Sequence, residues 1–173
     1  PKMPRKALVH GHCHQKALDT LNDREIGKLF AEKHILDAMG VDHHEPDAGC
    51  CGMAGAFGYE KINNHYEVGV AAGERMLLPE IRNAACDELI IADGFSCQEQ
   101  IQQQTERGAL HTALVLRMAM NGPDEAPKGA PEARMMAERN KAVRNGMIKT
   151  AAIIGVGALT AAVLWKTLYR RRS

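Results

Sequence analysis

Two short apolar runs, residues 7–9 and 88–92, each lead into a loop that carries a cysteine, and long helix-like stretches separate them. Runs of this length without polar alternation suit strands covered on both faces, as in a parallel sheet. Strands alternating with helical stretches predict an α/β fold, a small parallel sheet flanked by helices with the cysteine loops at one edge. In such folds the carboxyl edge of the sheet is where sites are built. The first run delivers His10-Gly11-His12-Cys13-His14; the second, through Leu89, Ile90 and Ile91, delivers Asp93-Gly94 and then Cys97.

Between the runs, Ala17, Leu18, Leu21, Ile26, Leu29, Phe30, Ile35, Leu36 and Met39 recur at three- and four-residue steps, which predicts one or two amphipathic helices over 15–39, stopped by Gly40. Val41 opens a short extended segment. Pro46, Gly49, Gly52, Gly55 and Gly58 then make a loop too rich in glycine for a regular element. Residues 59–85 read as helix divided near Gly69, Gly73 and Pro79, and residues 98–120 as helix bent at Gly108. The segment 121–131 (NGPDEAPKGAP) holds three prolines and two glycines and reads as a linker. The first domain is therefore placed at 1–120, followed by a charged helix at 132–149, an apolar helix at 150–169 and a basic tail at 170–173.

Composition narrows the function. Aromatic residues are 4% of the chain and the formal charge is +1, so neither base stacking nor polyanion binding is favoured and nucleic acid is not expected as a partner. The chain opens on Pro1 with no basic or apolar leader, and it reads as the tail end of a longer polypeptide. Five cysteines are an odd number at low density, which points away from a disulfide scaffold and toward metal or redox use in a reducing compartment.

The spacing of those cysteines excludes a local zinc finger, since 36 residues separate Cys13 from Cys50 and 45 separate Cys51 from Cys97. Adjacent thiolates at Cys50 and Cys51 crowd one small ion but can reach different irons of a cluster. Four thiolates, Cys13, Cys50, Cys51 and Cys97, match the ligand count of a 4Fe-4S cluster. Gly49, Gly52 and Gly55 would let the backbone approach the inorganic sulfides and aim N–H groups at them. A helix starting near Tyr59 would add a positive dipole end. Cys86 reads as structural. His10, His12, His14, His43 and His44 read as hydrogen-bonding or solvated side chains, although a loop so rich in His and Cys keeps zinc as an alternative.

Gly49-Cys50-Cys51-Gly52-Met53-Ala54-Gly55, preceded by His12-Cys13-His14 and followed by Ala92-Asp93-Gly94-Phe95-Ser96-Cys97, resembles the cysteine-rich CCG domain. That domain recurs in heterodisulfide reductase, in the iron-sulfur component of glycolate oxidase and in the carboxyl-terminal part of FAD-linked D-lactate or D-2-hydroxyglutarate dehydrogenases. The resemblance covers about residues 5–120 and is nearest to the fused FAD-linked enzymes. It implies one copy of a usually duplicated motif, with Cys13, Cys50, Cys51 and Cys97 carried over. Gly94 replaces the first cysteine of the family's late C-x-x-C, which favours a single four-cysteine cluster over a larger noncubane one.

The implied function is an electron-transfer module, not catalytic alone, that passes electrons from FAD on a partner domain or subunit of a 2-hydroxyacid dehydrogenase to a quinone or other carrier. A zinc-stabilised, non-redox assembly module is the alternative. The uncharged run 150–165 spans roughly 24 Å as a helix, short of a hydrocarbon core of about 30 Å. Lys149 and Lys166 could extend it, with Trp165 and Tyr169 at an interface and Arg170, Arg171 and Arg172 toward the cytoplasm. The expectation is a cytoplasmic module whose carboxyl-terminal helix either anchors it to the inner membrane or docks on another part of a larger protein.

Overall fold

The computed structural model describes residues 2–21, 30–121 and 130–170. The chain forms two compact units, Pro1–Arg134 and Met135–Ser173. Strand β1 (Lys6–His10) is the centre of a three-stranded parallel sheet of order β2-β1-β3, with β2 at Asp42–His44 and β3 at Leu89–Ala92. The register pairs Leu8 with His44 and Ile90, and His10 with Ala92. Leu110 extends the edge beyond β3, donating its N–H to the Ile90 carbonyl and accepting from Ala92 N–H.

Continuous apolar runs become β1 and β3 because both faces are covered: every residue of β3 is buried, as is β1 after Lys6. Each fully buried Leu or Ile there contributes roughly 1.5–3 kcal/mol of transfer free energy. Strand alternation sends Leu8, His10, Ile90 and Ala92 to one face. Leu8, Ile90 and Ala92 pack there with Ala48, Met53, Leu77, Ile81, Ile101, Cys51 and Cys97. Ala7, Val9, Leu89 and Ile91 turn to the other.

Helices α1 (Cys13–Leu21) and α2 (Phe30–Met39) follow β1. Residues 22–29 of the expected 15–39 helical stretch lie outside the described residues. Gly40 ends α2 in the left-handed region at φ +73°. Between β2 and β3 run α3 (His65–Glu74) and α4 (Leu77–Asn83), then α5 (Phe95–Gln104) and α6 (Thr112–Asn121) follow β3. Gly69 and Gly73 lie inside α3 and do not divide it; the break falls after Glu74, and Pro79 sits in the first turn of α4, where its missing N–H costs nothing. The single bend expected at Gly108 is a full interruption between α5 and α6.

Helix α7 (Pro131–Arg170) runs unbroken through the segments expected as separate charged and apolar helices. Among the described residues no helix is long and apolar enough to cross a membrane, so a spanning carboxyl-terminal helix is not supported. The physical reason is in the run itself: Lys149 and Lys166 bound 16 uncharged residues, more than half of them Ala, Gly or Thr. Most of the expected linker (122–129) and of the basic tail (171–173) lies outside the described residues, as do the side chains of Trp165, Lys166 and Tyr169.

Candidate functional site

The thiols come from three places at the carboxyl edge of the sheet. Cys13 is the first residue of α1, with only Gly11 and His12 between it and the end of β1. Cys97 is in the first turn of α5, five residues past β3. Cys50 and Cys51 lie in the loop that precedes the 3-10 turn Gly55–Tyr59. Gly55 N–H donates to Ser96 Oγ over 3.1 Å, which ties the second loop to the third. Cys51 and Cys97 are 4% and 3% exposed, whereas Cys13 and Cys50 reach solvent.

Cys97 lies within electrostatic reach of the other three. Cys97 is hydrogen-bonded to Cys51, and it feels the charges of Cys51, Cys13 and Cys50. The Cys51 thiol is pulled well below its usual range, first by the Cys97 hydrogen bond and then, against burial, by the N–H groups of Met53 and Ala54. Cys97 is pushed up correspondingly, by the hydrogen bond to Cys51 and by burial. The Cys97 hydrogen bond and the backbone N–H groups thus both favour negative charge at Cys51. Burial raises Cys50, partly offset by Gly52 N–H, which donates to its Sγ over 3.3 Å. The helices whose amino ends reach the site are α1, which opens at Cys13, and α5, which opens just before Cys97. That corrects the dipole expected near Tyr59, since the helix in that region begins only at His65.

Two glycines are required by what lies against them. Gly52 has φ +89°, and a Cβ there would stand 1.9 Å from the Gly69 carbonyl oxygen of α3. Gly94 leaves a notch: a Cβ would stand 2.4 Å from His12 Cδ2 and 3.1 Å from Cys97 Sγ. The His12 ring therefore occupies space that any side chain at position 94 would need. By contrast Gly49 and Gly55 face open space. His12 Nδ1 accepts from His14 N–H at 3.2 Å, His43 pairs with Asp37 at 3.0 Å and His44 with Glu88 at 3.4 Å. Cys86 lies apart, before β3, on the rim of a cavity of about 640 Å³ shared with Arg82 and Arg107.

Sequence reasoning missed His10 as a special residue. Its side chain is 1% exposed, and among the described residues neither ring nitrogen has a hydrogen-bond partner. Burial, then the Lys16 ammonium, pushes this imidazole down to about 4 against the pull of Glu45, so the ring is neutral. A buried, unsatisfied polar group costs roughly 1–3 kcal/mol. The available signal was a histidine closing the apolar run of a central strand.

Among the described residues no group of three or more His, Cys, Asp or Glu is arranged to hold a single metal ion. The inner pair is instead closed on itself, Cys51 and Cys97 sharing a hydrogen bond, while Cys50 and Cys13 stand at the exposed side. In donor type and number the four thiols would suit a cluster whose separate irons each take one thiolate, with every thiol giving up its proton on binding.

No family model matches the chain, and no solved structure matches it. Curated relatives do. The chain is 26% identical over 118 residues to one subunit of the anaerobic glycerol-3-phosphate dehydrogenase of Escherichia coli K12, covering 68% of this chain and 27% of that relative. It is 27% identical over 116 residues to the D-2-hydroxyglutarate dehydrogenase of Pseudomonas putida, covering 67% of this chain and 10% of that enzyme. The enzyme of the same name from Pantoea ananatis is 31% identical over 83 residues, 47% of this chain and 8% of the relative. The chain therefore spans about a quarter or less of the relatives it matches, and what it resembles in them is a part of dehydrogenase enzymes or subunits.

Proposed function

We propose that residues 1–120 are a CCG-type cysteine-rich domain in which Cys13, Cys50, Cys51 and Cys97 hold a 4Fe-4S cluster, and that the chain is the electron-transfer module of a FAD-linked 2-hydroxyacid dehydrogenase. The observation that supports this reading is that four cysteines from three loops at the carboxyl edge of one sheet interact electrostatically, with Cys51 and Cys97 hydrogen-bonded. A bound cluster would supply one-electron exchange. In that role the chain relays singly the two electrons that a flavin on a partner domain takes from substrate, and delivers them to a quinone or other carrier.

The chain's own part is to hold and tune. Met53 and Ala54 N–H groups stabilise negative charge at Cys51, and Gly52 N–H does so at Cys50. Residues packed around Cys51 and Cys97 keep water from the inner half of the site, while Cys13 and Cys50 open to the surface where a partner must approach. The names of the relatives support a dehydrogenase partner whose substrate is a small anionic alcohol.

The test is iron and acid-labile sulfide analysis with the visible spectrum, on the full chain reconstituted anaerobically and on Cys51→Ala and Cys86→Ala. Near-equal iron and sulfide are expected in wild type and Cys86→Ala, with both lost in Cys51→Ala. Colourless protein that takes up zinc and no sulfide would overturn the electron-transfer reading in favour of an assembly module.

A further inference from the structure

His10 is the most anomalous polar side chain in the first unit. It sits at the carboxyl end of the central strand, 1% exposed, with Nδ1 and Nε2 both unpartnered among the described residues. The surrounding charges are already engaged: Glu45 takes Lys16 at 3.2 Å and Lys33 at 3.1 Å, and Lys16 also donates to the Ala48 carbonyl. Strand alternation and register put the ring on the same face as Leu8, Ile90 and Ala92, the residues that pack with Cys51 and Cys97. A neutral imidazole carries one N–H donor and one lone pair, and buried groups of this kind are nearly always satisfied. An orphan donor on the thiol-bearing face, three residues before Cys13, therefore marks a missing acceptor.

We propose that His10 donates its ring N–H to a sulfur of the group held by Cys13, Cys50, Cys51 and Cys97, and so positions and tunes that group from the protein interior. The proposal rests on the cluster reading above. Sulfide or thiolate sulfur is the acceptor chemistry that fits, because it gains negative charge on reduction and lies on the dry side of the site. Donation to sulfur favours the reduced, more negative state, so His10 holds the midpoint potential up.

The experiment uses the full chain, reconstituted anaerobically with iron and sulfide, as wild type, His10→Leu and His10→Gln. Metal-free His10→Leu is expected to be at least as stable as wild type, because it removes an unsatisfied buried group. Its loaded form should show a lower midpoint, with about a tenfold lower ratio of reduced to oxidised form at the wild-type midpoint, or about 59 mV for one electron. His10→Gln keeps an N–H donor and should recover most of the shift. In wild type exchanged into deuterium oxide, pulsed EPR of the reduced state should detect an exchangeable deuteron and a histidine nitrogen coupled to the cluster spin; this readout holds even if a variant fails to fold. Loaded His10→Leu with an unchanged midpoint, or reduced wild type without those couplings, overturns the role of His10 and leaves the thiol ligands standing. Wild type that takes up no sulfide overturns both.

Discussion

One face of the three-stranded sheet presents Ala7, Val9, Leu89 and Ile91; the other presents Leu8, His10, Ile90 and Ala92, and two of the thiols pack on the second. On the first face the buried side chains are aliphatic, and the remaining buried apolar residues of the first unit include Leu36 and Met39 of α2 with Val115 and Ala119 of α6, two helices in mutual contact. On the second, Cys51 and Cys97 are hydrogen-bonded, His10 lacks partners among the described residues, and backbone approaches backbone at Gly52 and Gly69. The first face is held by aliphatic volume, whereas the second adds to its own apolar packing a close backbone approach that leaves no room for a side chain. Adding an atom should damage the second face, and removing atoms should damage the first.

The largest effect is expected at Gly52→Ala. The new Cβ must adopt φ +89° and stand 1.9 Å from a backbone oxygen inside α3, so the loop bearing Cys50 and Cys51 has to move. A loss of roughly 4 kcal/mol or more in urea unfolding is expected, with loss of iron uptake. Gly49→Ala, which meets nothing within 4 Å, is the control and should change stability by less than about 0.5 kcal/mol. On the opposite face Leu36→Ala empties a fully buried position and should cost roughly 2–5 kcal/mol while leaving iron uptake intact at temperatures where the variant is folded. If Leu36→Ala also abolished uptake, the division between the faces would fail.

Much of this division was visible in the sequence, because continuous apolar runs specify strands covered on both sides and β1 and β3 follow from residues 7–9 and 88–92 alone. The edge strand β2 was visible only as a short extended segment opening at Val41, since Asp42-His43-His44 has no apolar pattern and its place in the sheet comes from pairing to β1. The four cysteines stood out by number and spacing, but their electrostatics did not. The amino ends of α1 and α5 fall at Cys13 and just before Cys97, and Gly94 at the second boundary offers no side-chain cap to announce it. Gly69 looked like a helix breaker because sequence shows its low propensity and not the loop packed against it. His10 was illegible as an orphan, since a missing partner is a property of three dimensions.

The titration of His10 sharpens the same contrast. Its pKa falls from 6.5 to about 4 in the folded chain, so the native ring is neutral through a window in which the unfolded ring binds a proton. The contribution is fully present above pH 6.5 and is lost progressively as pH falls toward 4, by about 3 kcal/mol in the metal-free protein. Urea midpoints measured from pH 7.5 to 4 should fall along that window. In His10→Leu the part of the slope due to this group should vanish; an unchanged slope would mean that carboxylates carry the acid sensitivity instead.

The smallest effect tests the seam between the faces. Asp93 leaves β3 just before the turn that carries Cys97, yet its Oδ1 accepts from Thr112 N–H at 2.7 Å and Thr112 Oγ1 at 3.0 Å, at the start of α6. One carboxylate thus satisfies a free N–H of a helix belonging to the aliphatic side while its own backbone belongs to the thiol side. Asp93→Ala should cost about 1 kcal/mol, as loss of a helix cap does. If α6 merely frays, the ratio of iron to sulfide and the visible spectrum stay as in wild type. A parallel loss of cluster would mean that the Asp93 carboxylate, anchored on α6, is what fixes the Gly94 notch and the position of Cys97, and that the two faces are joined through this single loop.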